Sequence, residues 1–210
     1  MAESYEESRV DMSKWFTTYY DALMKPLEQR ALHPIRQKLL AQAAGNVIEI
    51  GSGTGVNFRY YANAGKVFAV EPEPSMLERS LERVRLSDIP IETVLARAES
   101  LPFPADSFDT AVGTLVLCTI PDPLVALAEI RRVCRPGATV LLLEHVKVDH
   151  PVWGALQSKL TPAWKRLCGG CHLDRNTLDS VKRAGFRVRR AERKYKGLLL
   201  MIEAENDKPV

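Results

Sequence analysis

Short apolar runs and amphipathic stretches alternate along most of the chain. The apolar runs have the length of buried strands and predict strands at 47–50, 67–70, 91–95, 108–115 and 139–145. Apolar positions three and four residues apart predict helices at 74–85 and 123–134. This alternation predicts a parallel sheet with helices on both faces.

The two ends of the chain depart from this alternation. Aromatic and apolar side chains recur at helical spacing from 13 to 42, where Pro26 and Pro34 are expected to divide the helical stretch. Towards the carboxyl end, a helix is predicted at 173–184. Strands at 186–191 and 198–204 then flank a turn at 194–197. Two strands joined by so short a turn must run antiparallel.

The first predicted strand enters a loop with glycines at three alternate positions, Gly51, Gly53 and Gly55. Without a Cβ, these residues let backbone N–H groups approach a ligand closely. The residues after the loop, 56–59, are predicted to begin a helix. The second strand is followed by Glu71, 20 residues beyond Gly51, where a carboxylate can accept hydrogen bonds from both hydroxyls of a ribose. The pattern therefore predicts a nucleoside site.

The spacing of the glycines distinguishes between nucleoside ligands. Dinucleotide sites use G-x-G-x-x-G with a pyrophosphate on the helix N-terminus, whereas here the third glycine comes one residue early. Glu49 lies within the strand, and its carboxylate disfavours a pyrophosphate but suits a cation. S-adenosylmethionine carries an ammonium and a sulfonium and no phosphate. It is the predicted cofactor, with S-adenosylhomocysteine as its product.

The composition is that of an ordinary globular protein, but the charge is unevenly distributed. The 210 residues are 46% hydrophobic and 26% charged, and they suit one domain with a small appendage. Residues 1–130 hold 12 Lys and Arg against 18 Asp and Glu, a net charge of −6, whereas residues 131–196 hold 16 against 5, a net charge of +11. The basic part is either a solvated face or a surface for phosphate, an anionic substrate or an anionic membrane.

Three further features bear on location and on metals. The longest apolar stretch, 111–120, is far shorter than the roughly 20 residues of a membrane span, and the acidic residues near the start argue against a secretion signal. Four cysteines do not predict a disulfide framework in a chain of this size. We expect a cytoplasmic protein, with attachment to a membrane periphery as the alternative. Cys168, Cys171 and His172 are too few to hold structural zinc, so no metal is expected.

Five segments stand out together. They are V-I-E-I-G-S-G-T-G at 47–55, V-E-P-E-P-S-M-L at 70–77, A-E-S-L-P-F-P-A-D-S-F-D at 98–109, T-L-V-L-C-T-I-P-D-P at 114–123 and L-A-E-I-R-R-V-C-R-P-G at 127–137. These segments resemble class I S-adenosylmethionine-dependent methyltransferases of the ubiquinone/menaquinone-biosynthesis-like group. The resemblance implies an α/β fold with a Rossmann-like seven-stranded sheet of order 3-2-1-4-5-7-6, its last strand antiparallel, and helices on both faces. It also implies an N-terminal helical lid at 1–42 before a methyltransferase domain at 43–210.

Two later segments narrow the resemblance. L-T-P-A-W-K at 160–165 and G-G-C-H-L-D-R-N-T at 169–177 are similar to segments of the membrane-associated thiol methyltransferases of the methyltransferase-like 7 group. They are also similar to segments of bacterial relatives, some of which are described as phospholipid methyltransferases.

The resemblance assigns the cofactor-binding residues. They are Glu49, Gly51, Ser52, Gly53, Gly55, Asn57, Glu71, Pro72, Met76, Ala98, Glu99, Thr114 and Leu115. The glycine loop would contact the methionine part, Glu71 the ribose, and Met76 the adenine. Many relatives have Asp before the Ala-Glu pair, to bind the adenine amino group, where this chain has Arg97. Either Glu99 or the backbone then takes that role.

Methyl transfer is an in-line displacement in which the enzyme mainly aligns the acceptor with the methyl group. A base is needed only where the acceptor must lose a proton, as thiols and phenols do. Ligands of open α/β sheets bind beyond the carboxyl ends of the strands, and the fifth strand ends in Glu144 and His145. His145 is the first candidate base, with a structural histidine bonded to the 160s loop as the alternative. Glu144 is expected to orient His145 or to hold that loop, and Glu99 is the third catalytic candidate.

Residues near the acceptor are expected from three segments. Tyr19 and Tyr20 belong to the aromatic part of the predicted lid, and core packing is their alternative role. Cys118 follows the fourth strand, where it either packs beneath the cofactor or faces the acceptor. Trp164 and His172 come from the later segments that resemble thiol methyltransferases.

These features predict methyl transfer to a small or lipid-like acceptor. A phospholipid amine such as phosphatidylethanolamine, methylated at a membrane surface, is favoured, with an alkyl thiol or a quinol precursor as the alternative. A non-catalytic adenosyl-binding module is the alternative of another class. Nucleic acid is not an expected partner, because residues 114–117 read T-L-V-L where a base-binding Asn-Pro-Pro-Tyr-like motif would follow the fourth strand.

Overall fold

A computed structural model describes residue 28, residues 32–167 and residues 170–209. The strands are β1 (Ala44–Ile50), β2 (Asn63–Glu71), β3 (Ile91–Leu95), β4 (Phe108–Thr114), β5 (Cys134–His145), β6 (Arg187–Lys194) and β7 (Leu199–Glu205). The helices are α1 (His33–Leu40), α2 (Pro74–Arg85), α3 (Pro123–Val133), α4 (Pro151–Leu167) and α5 (Thr177–Arg183).

All seven strands belong to one sheet of order β3-β2-β1-β4-β5-β7-β6. The first five strands pair in parallel, and β7 runs antiparallel to both β5 and β6. This confirms the strand order predicted from the sequence, including the antiparallel last strand. The order reverses between β1 and β4, so a crevice for ligands is expected beyond the carboxyl ends of these two strands.

Both faces of the sheet are buried, because successive side chains of a strand point to opposite faces. Ile48 and Ile50 of β1 pack in one core with residues of α3 and α5, whereas Val47 packs in a second core with residues of α1. Helices on both faces explain why the strands read as continuous apolar runs rather than as alternating ones.

The connection from β1 to β2 differs from the prediction. A helix was expected from residue 56, but the chain forms only a 3-10 turn at Phe58–Tyr60. Tyr61 leaves the helical region with a φ of −81° and a ψ of 80°. Since β2 already begins at Asn63, the space after Gly55 is too short for an α-helix with connections at both ends.

The helix α4 is absent from the sequence prediction, which treated the 160s as a loop. Pro151 opens the helix, where a missing N–H is tolerated, and Pro162 lies inside it. Among the described residues, no helix is long and apolar enough to cross a membrane.

The limits of the other predicted helices and strands agree with the structure to within a few residues. The helix predicted at 173–184 begins only at Thr177, because Asn176 caps it by accepting a hydrogen bond from the Asp179 N–H at 3.3 Å. The helices predicted before residue 32 lie outside the described residues, so the division at 42–43 stays a prediction.

Candidate active site

The glycine loop lies at the crevice between the carboxyl ends of β1 and β4. Gly51, Gly53 and Gly55 all have positive φ angles, of 64°, 55° and 80°. A Cβ on Gly51 would lie 2.2 Å from Val116 Cγ2, and one on Gly55 would lie 2.5 Å from Phe58 Cε2. A Cβ on Gly53 would meet no atom within 4 Å. Gly51 and Gly55 therefore allow the loop to pack, while Gly53 presents its backbone to open space.

Glu71 ends β2 beside this loop. Its Oε2 accepts a hydrogen bond from the Gly53 N–H at 2.9 Å, and its Oε1 accepts one from the Glu73 N–H at 3.1 Å. Burial raises the pKa of Glu71, while these backbone hydrogen bonds act to lower it. Each carboxylate oxygen can accept a further hydrogen bond, so the carboxylate can still receive the two hydroxyls of a ribose.

Ser52 offers a second polar group at the loop. Its backbone N–H donates to Val70 O at 3.0 Å, but its buried Oγ has no partner among the described residues. Buried hydroxyls are normally hydrogen-bonded. An orphaned hydroxyl beside the open face of Gly53 fits a ligand that carries polar groups, and S-adenosylmethionine carries them at its methionine end.

Glu49 lies beneath the loop in a buried polar network. Its Oε1 accepts from Asn57 Nδ2 at 2.8 Å, and its Oε2 accepts from the Tyr61 hydroxyl at 2.8 Å. Burial raises the pKa of Glu49 to about 7. Asn57 also donates to Thr114 Oγ1 at 2.9 Å. The polar atoms of these side chains already have protein partners, so the structure supports them as positioning residues and leaves cofactor contact a prediction.

Arg36 completes the network and was missed by the sequence analysis. It reaches in from α1, is 5% exposed, and donates through Nη1 to Asn57 Oδ1 at 2.6 Å and to Thr114 Oγ1 at 2.5 Å. Its Nε forms an ion pair with Glu28 at 2.9 Å. One sequence signal was available, since Arg36 interrupts the apolar positions of the helix between Ile35 and Leu39.

The adenine residues implied by the resemblance come from α2 and from the loops after β2 and β3. Met76 and Ala98 are buried, whereas Pro72 is exposed. Glu99 Oε1 pairs with Arg97 Nη2 at 3.2 Å. Arg97 therefore engages the carboxylate that was expected to bind adenine or act as a base, and neither role of Glu99 gains support.

The loop after β4 is held by Glu144, which is fully buried at the end of β5. Its Oε1 accepts from the N–H groups of Val116 and Leu117 at 3.1 and 3.0 Å, and its Oε2 accepts from the Cys118 N–H at 3.2 Å. Burial raises the pKa of Glu144 to about 7, and the three backbone hydrogen bonds act to lower it. The geometry favours a positioning role for Glu144, on residues 116–118 rather than on the 160s as expected.

Leu115 opens that loop in a strained conformation. Its φ is 56°, in the left-handed region that side chains rarely adopt, and its N–H donates to Leu143 O at 2.6 Å. Such strain persists where the surroundings determine the backbone. Glu144 provides that constraint, and together the two residues set the shape of the loop beside the glycine loop.

His145 follows Glu144 at the carboxyl end of β5 and is partly buried. Its Nδ1 is buried and has no hydrogen-bond partner in the described part of the chain. Burial lowers the pKa of His145, which keeps the imidazole neutral at pH 7. No bond from His145 to the described 160s is present to support the structural alternative.

Three of the expected acceptor residues come together. The backbone N–H of His172 donates to Cys118 O at 2.8 Å, which joins the loop after β4 to the segment after α4. Arg175 Nη1 fastens the same two segments by donating to Ile120 O at 2.6 Å. Trp164 reaches this junction through Cys171. Tyr19 and Tyr20 lie outside the described residues.

Cys171 lies at the centre of this junction, although the sequence analysis considered it only as a metal ligand. Hydrogen bonds from Cys118 and from Trp164, together with the charge of Arg175, lower the pKa of Cys171 to about 7. The same contact and burial raise the pKa of Cys118 well above its usual range. At neutral pH the junction therefore holds a partly ionised thiol, Cys171, beside a protonated one, Cys118.

Comparisons with known proteins agree with this geometry. A family model described as a methyltransferase domain matches residues 48–142. The thiol S-methyltransferase TMT1B of Homo sapiens is 32% identical over 87% of this chain and 80% of its own length. The phosphatidylethanolamine N-methyltransferase of Cereibacter sphaeroides is 30% identical over 55% of this chain and 58% of its own length.

A solved structure shares the fold. The S-adenosylmethionine-dependent methyltransferase of Mesorhizobium loti superposes with a TM-score of 0.64 and 18% identity, over 82% of this chain and 96% of its own. At that identity the likeness concerns the fold alone.

Proposed function

Since this chain belongs to the class I S-adenosylmethionine-dependent methyltransferases, we propose that its acceptor is the thiol of a small apolar molecule. The family and the fold establish the enzyme class and the cofactor. That cofactor fits the carboxylate of Glu71, the open face of Gly53 and the Ser52 hydroxyl, which has no partner among the described residues. When bound, S-adenosylmethionine supplies an electrophilic methyl group on a sulfonium.

The observation that carries the proposal is the partly buried imidazole of His145, whose Nδ1 has no hydrogen-bond partner among the described residues and whose pKa is lowered by burial. A free thiol has a pKa of about 8.5, so at pH 7 most of it must lose a proton before it attacks. A neutral imidazole within reach can take that proton as general base. The sulfur lone pair then forms the bond to the methyl carbon, and the carbon–sulfonium bond breaks.

The buried carboxylates of the candidate site suit an apolar thiol rather than a charged acceptor. Glu144 and Glu49 have their carboxylate oxygens engaged by protein donors, so neither is free to bind an ammonium. The similarity to TMT1B over most of both chains supports the same acceptor class. Sequence reasoning favoured a phospholipid amine, and the thiol was its alternative.

Replacing the proposed base tests this mechanism. His145→Ala should lower kcat for an alkyl thiol at pH 7 by about 100-fold or more, because general-base assistance of that size is lost. The dissociation constant for S-adenosylmethionine should stay unchanged. The measurement is initial-rate release of S-adenosylhomocysteine, with titration calorimetry for cofactor binding.

His150→Ala is the matched control, since His150 is an exposed imidazole outside the site. It should keep wild-type turnover. Thiol turnover that survives in His145→Ala, or a parallel loss in His150→Ala, would remove His145 from the mechanism. Raising the pH should rescue His145→Ala in part, because the thiol then ionises unaided.

Phosphatidylethanolamine is the second candidate acceptor. The similarity to the Cereibacter sphaeroides enzyme favours it, although this chain spans only 58% of that relative. A neutral amine attacks without a base, so His145→Ala would leave such an activity largely intact. An activity on lipid vesicles that is insensitive to this substitution would favour the amine over the thiol.

A further inference from the structure

The helix α4 exposes an apolar face that nothing in the described chain covers. Five large apolar side chains on it are between 43% and 68% exposed, namely Val152, Trp153, Leu156, Leu160 and Trp164. Most of them are spaced three or four residues apart, which places them along one side of the helix. The side that faces the protein is different, since it buries Gly154 and Thr161. The described residues of this helix therefore form an outward apolar face that is distinct from the buried side.

An exposed apolar face of this kind indicates an interaction surface. Single exposed apolar side chains are common, but a contiguous apolar stripe with two tryptophans marks an interaction site. The helix has 17 residues, roughly 25 Å of length, and it is not one that can cross a bilayer. An amphipathic helix of this kind lies in the plane of a lipid surface, with tryptophan and leucine at the boundary of head groups and acyl chains.

Charge indicates the kind of surface. The sequence of α4 holds Lys159, Lys165 and Arg166 and no Asp or Glu. In the described part of the chain, Lys159 and the nearby Lys147 are without a carboxylate partner. Cations beside an apolar stripe suit anionic lipid head groups. A second copy of the chain is a poor fit, because a two-fold contact would bring these cations together without an acid to pair them.

The basic strand β6 is a weaker candidate for binding anionic lipid. Arg187 and Arg189 pair with Glu205, and Arg193 pairs with Asp149 at 2.9 Å. Pairing within the sheet edge neutralises much of the cluster. The structure thus favours a solvated face for β6 and leaves α4 as the candidate membrane surface.

The position of α4 connects this surface to the active site. The helix follows the carboxyl end of β5, and Gln157 fixes it there by accepting from the Val148 N–H at 2.8 Å. Its Trp164 reaches Cys171 at the acceptor junction. We propose that α4 docks this end of the molecule on an anionic lipid bilayer, so that acceptors dissolved in the membrane enter beside the helix. The inference requires no particular acceptor and stands apart from the proposed function.

The test is flotation of the full chain with vesicles of phosphatidylcholine alone or mixed with phosphatidylglycerol. The wild type should float with the anionic vesicles, less at high salt and least with pure phosphatidylcholine. Trp153→Glu with Leu160→Glu should weaken binding by about tenfold or more, since both side chains then bring charge into the apolar boundary. Tryptophan fluorescence of the wild type should shift to the blue on binding, because two of its three tryptophans lie on α4.

A matched control carries the same change on another surface. Leu81→Glu with Leu86→Glu alters two leucines at α2 that are 42% and 76% exposed, and it should float like the wild type. Circular dichroism and binding of S-adenosylmethionine without vesicles show that both variants are folded, and neither readout depends on the identity of the acceptor.

Three results would overturn the proposal. The first is a wild type that does not float with anionic vesicles, and the second is equal flotation of the wild type and the α4 variant. The third is a dimer in light scattering that the α4 substitutions dissociate without any effect on vesicle binding, which would make the face a protein interface.

Discussion

Cys171 shows how strongly this site alters single side chains. A hydrogen bond from the Cys118 thiol is the main cause of its low pKa, and the indole of Trp164 and the charge of Arg175 act in the same direction. The same pairing has the opposite effect on Cys118, whose pKa it raises. Cys134 is buried elsewhere, and burial raises its pKa to about 12. Three thiols of one chain thus differ widely in their readiness to ionise.

Alkylation by iodoacetamide should therefore select Cys171. In a Cys168→Ser background, its labelling rate should rise with pH and reach half its maximum near pH 7, because only the thiolate reacts. Cys118 and Cys134 should stay unlabelled in the native protein. Mass spectrometry of labelled peptides, sampled over time from pH 5 to pH 9, measures both.

A substitution of Trp164 tests the cause of the low pKa of Cys171. Trp164→Phe removes one hydrogen-bond donor to Cys171, so the midpoint of labelling should move to higher pH. A midpoint near pH 9 in the wild type, or faster labelling of Cys118 than of Cys171, would contradict the arrangement of this junction.

At the scale of elements, the carboxyl ends of β4 and β5 are joined by Glu144. Its carboxylate satisfies three backbone N–H groups of the loop after β4, and Arg175 fastens the far side of that loop to the segment before α5. Unpaired N–H groups in a buried loop would be costly. A single acid thus holds the backbone that closes the site.

The pH dependence of the free energy of unfolding should reveal the titration of Glu144. Burial gives Glu144 a pKa of about 7 in the folded state against 4.5 as its ordinary value. The folded state therefore binds more protons than the unfolded one between these pH values, and its free energy of unfolding falls as the pH rises from 4.5 to 7. Glu144→Gln removes this contribution. Relative to the wild type, the variant should gain about 3 kcal/mol between pH 4.5 and pH 8.

Urea unfolding at a series of pH values measures the difference. Glu92→Gln is the control, because Glu92 is an exposed acid paired with Lys66, and its difference from the wild type should be nearly independent of pH. A constant difference between Glu144→Gln and the wild type across the same range would show that Glu144 does not titrate as its burial requires.

At the scale of the whole molecule, the sheet could be predicted because its cues are local. Apolar runs identified the strands, the turn at 194–197 required an antiparallel pair, and family motifs implied the order, which the structure confirms. Arg36 could not be found in this way. Its partner Thr114 is 78 residues away, and only the packing of α1 on the sheet brings them together.

The helix α4 was missed for a different reason. Pro162 is a residue type that usually breaks a helix. The apolar side chains of α4 are also exposed, whereas the helical pattern was used to find helices that pack on the core. The lid at 1–42 remains a prediction.

The acceptor is the central claim, and a comparison of rates tests it most directly. Release of S-adenosylhomocysteine would be followed with an alkyl thiol, with phosphatidylethanolamine in vesicles and with a quinol analogue, each at matched concentration and pH 7. We predict turnover of the thiol, with the other two acceptors at the background rate. Methylation of phosphatidylethanolamine or the quinol without methylation of any thiol would contradict the proposed function.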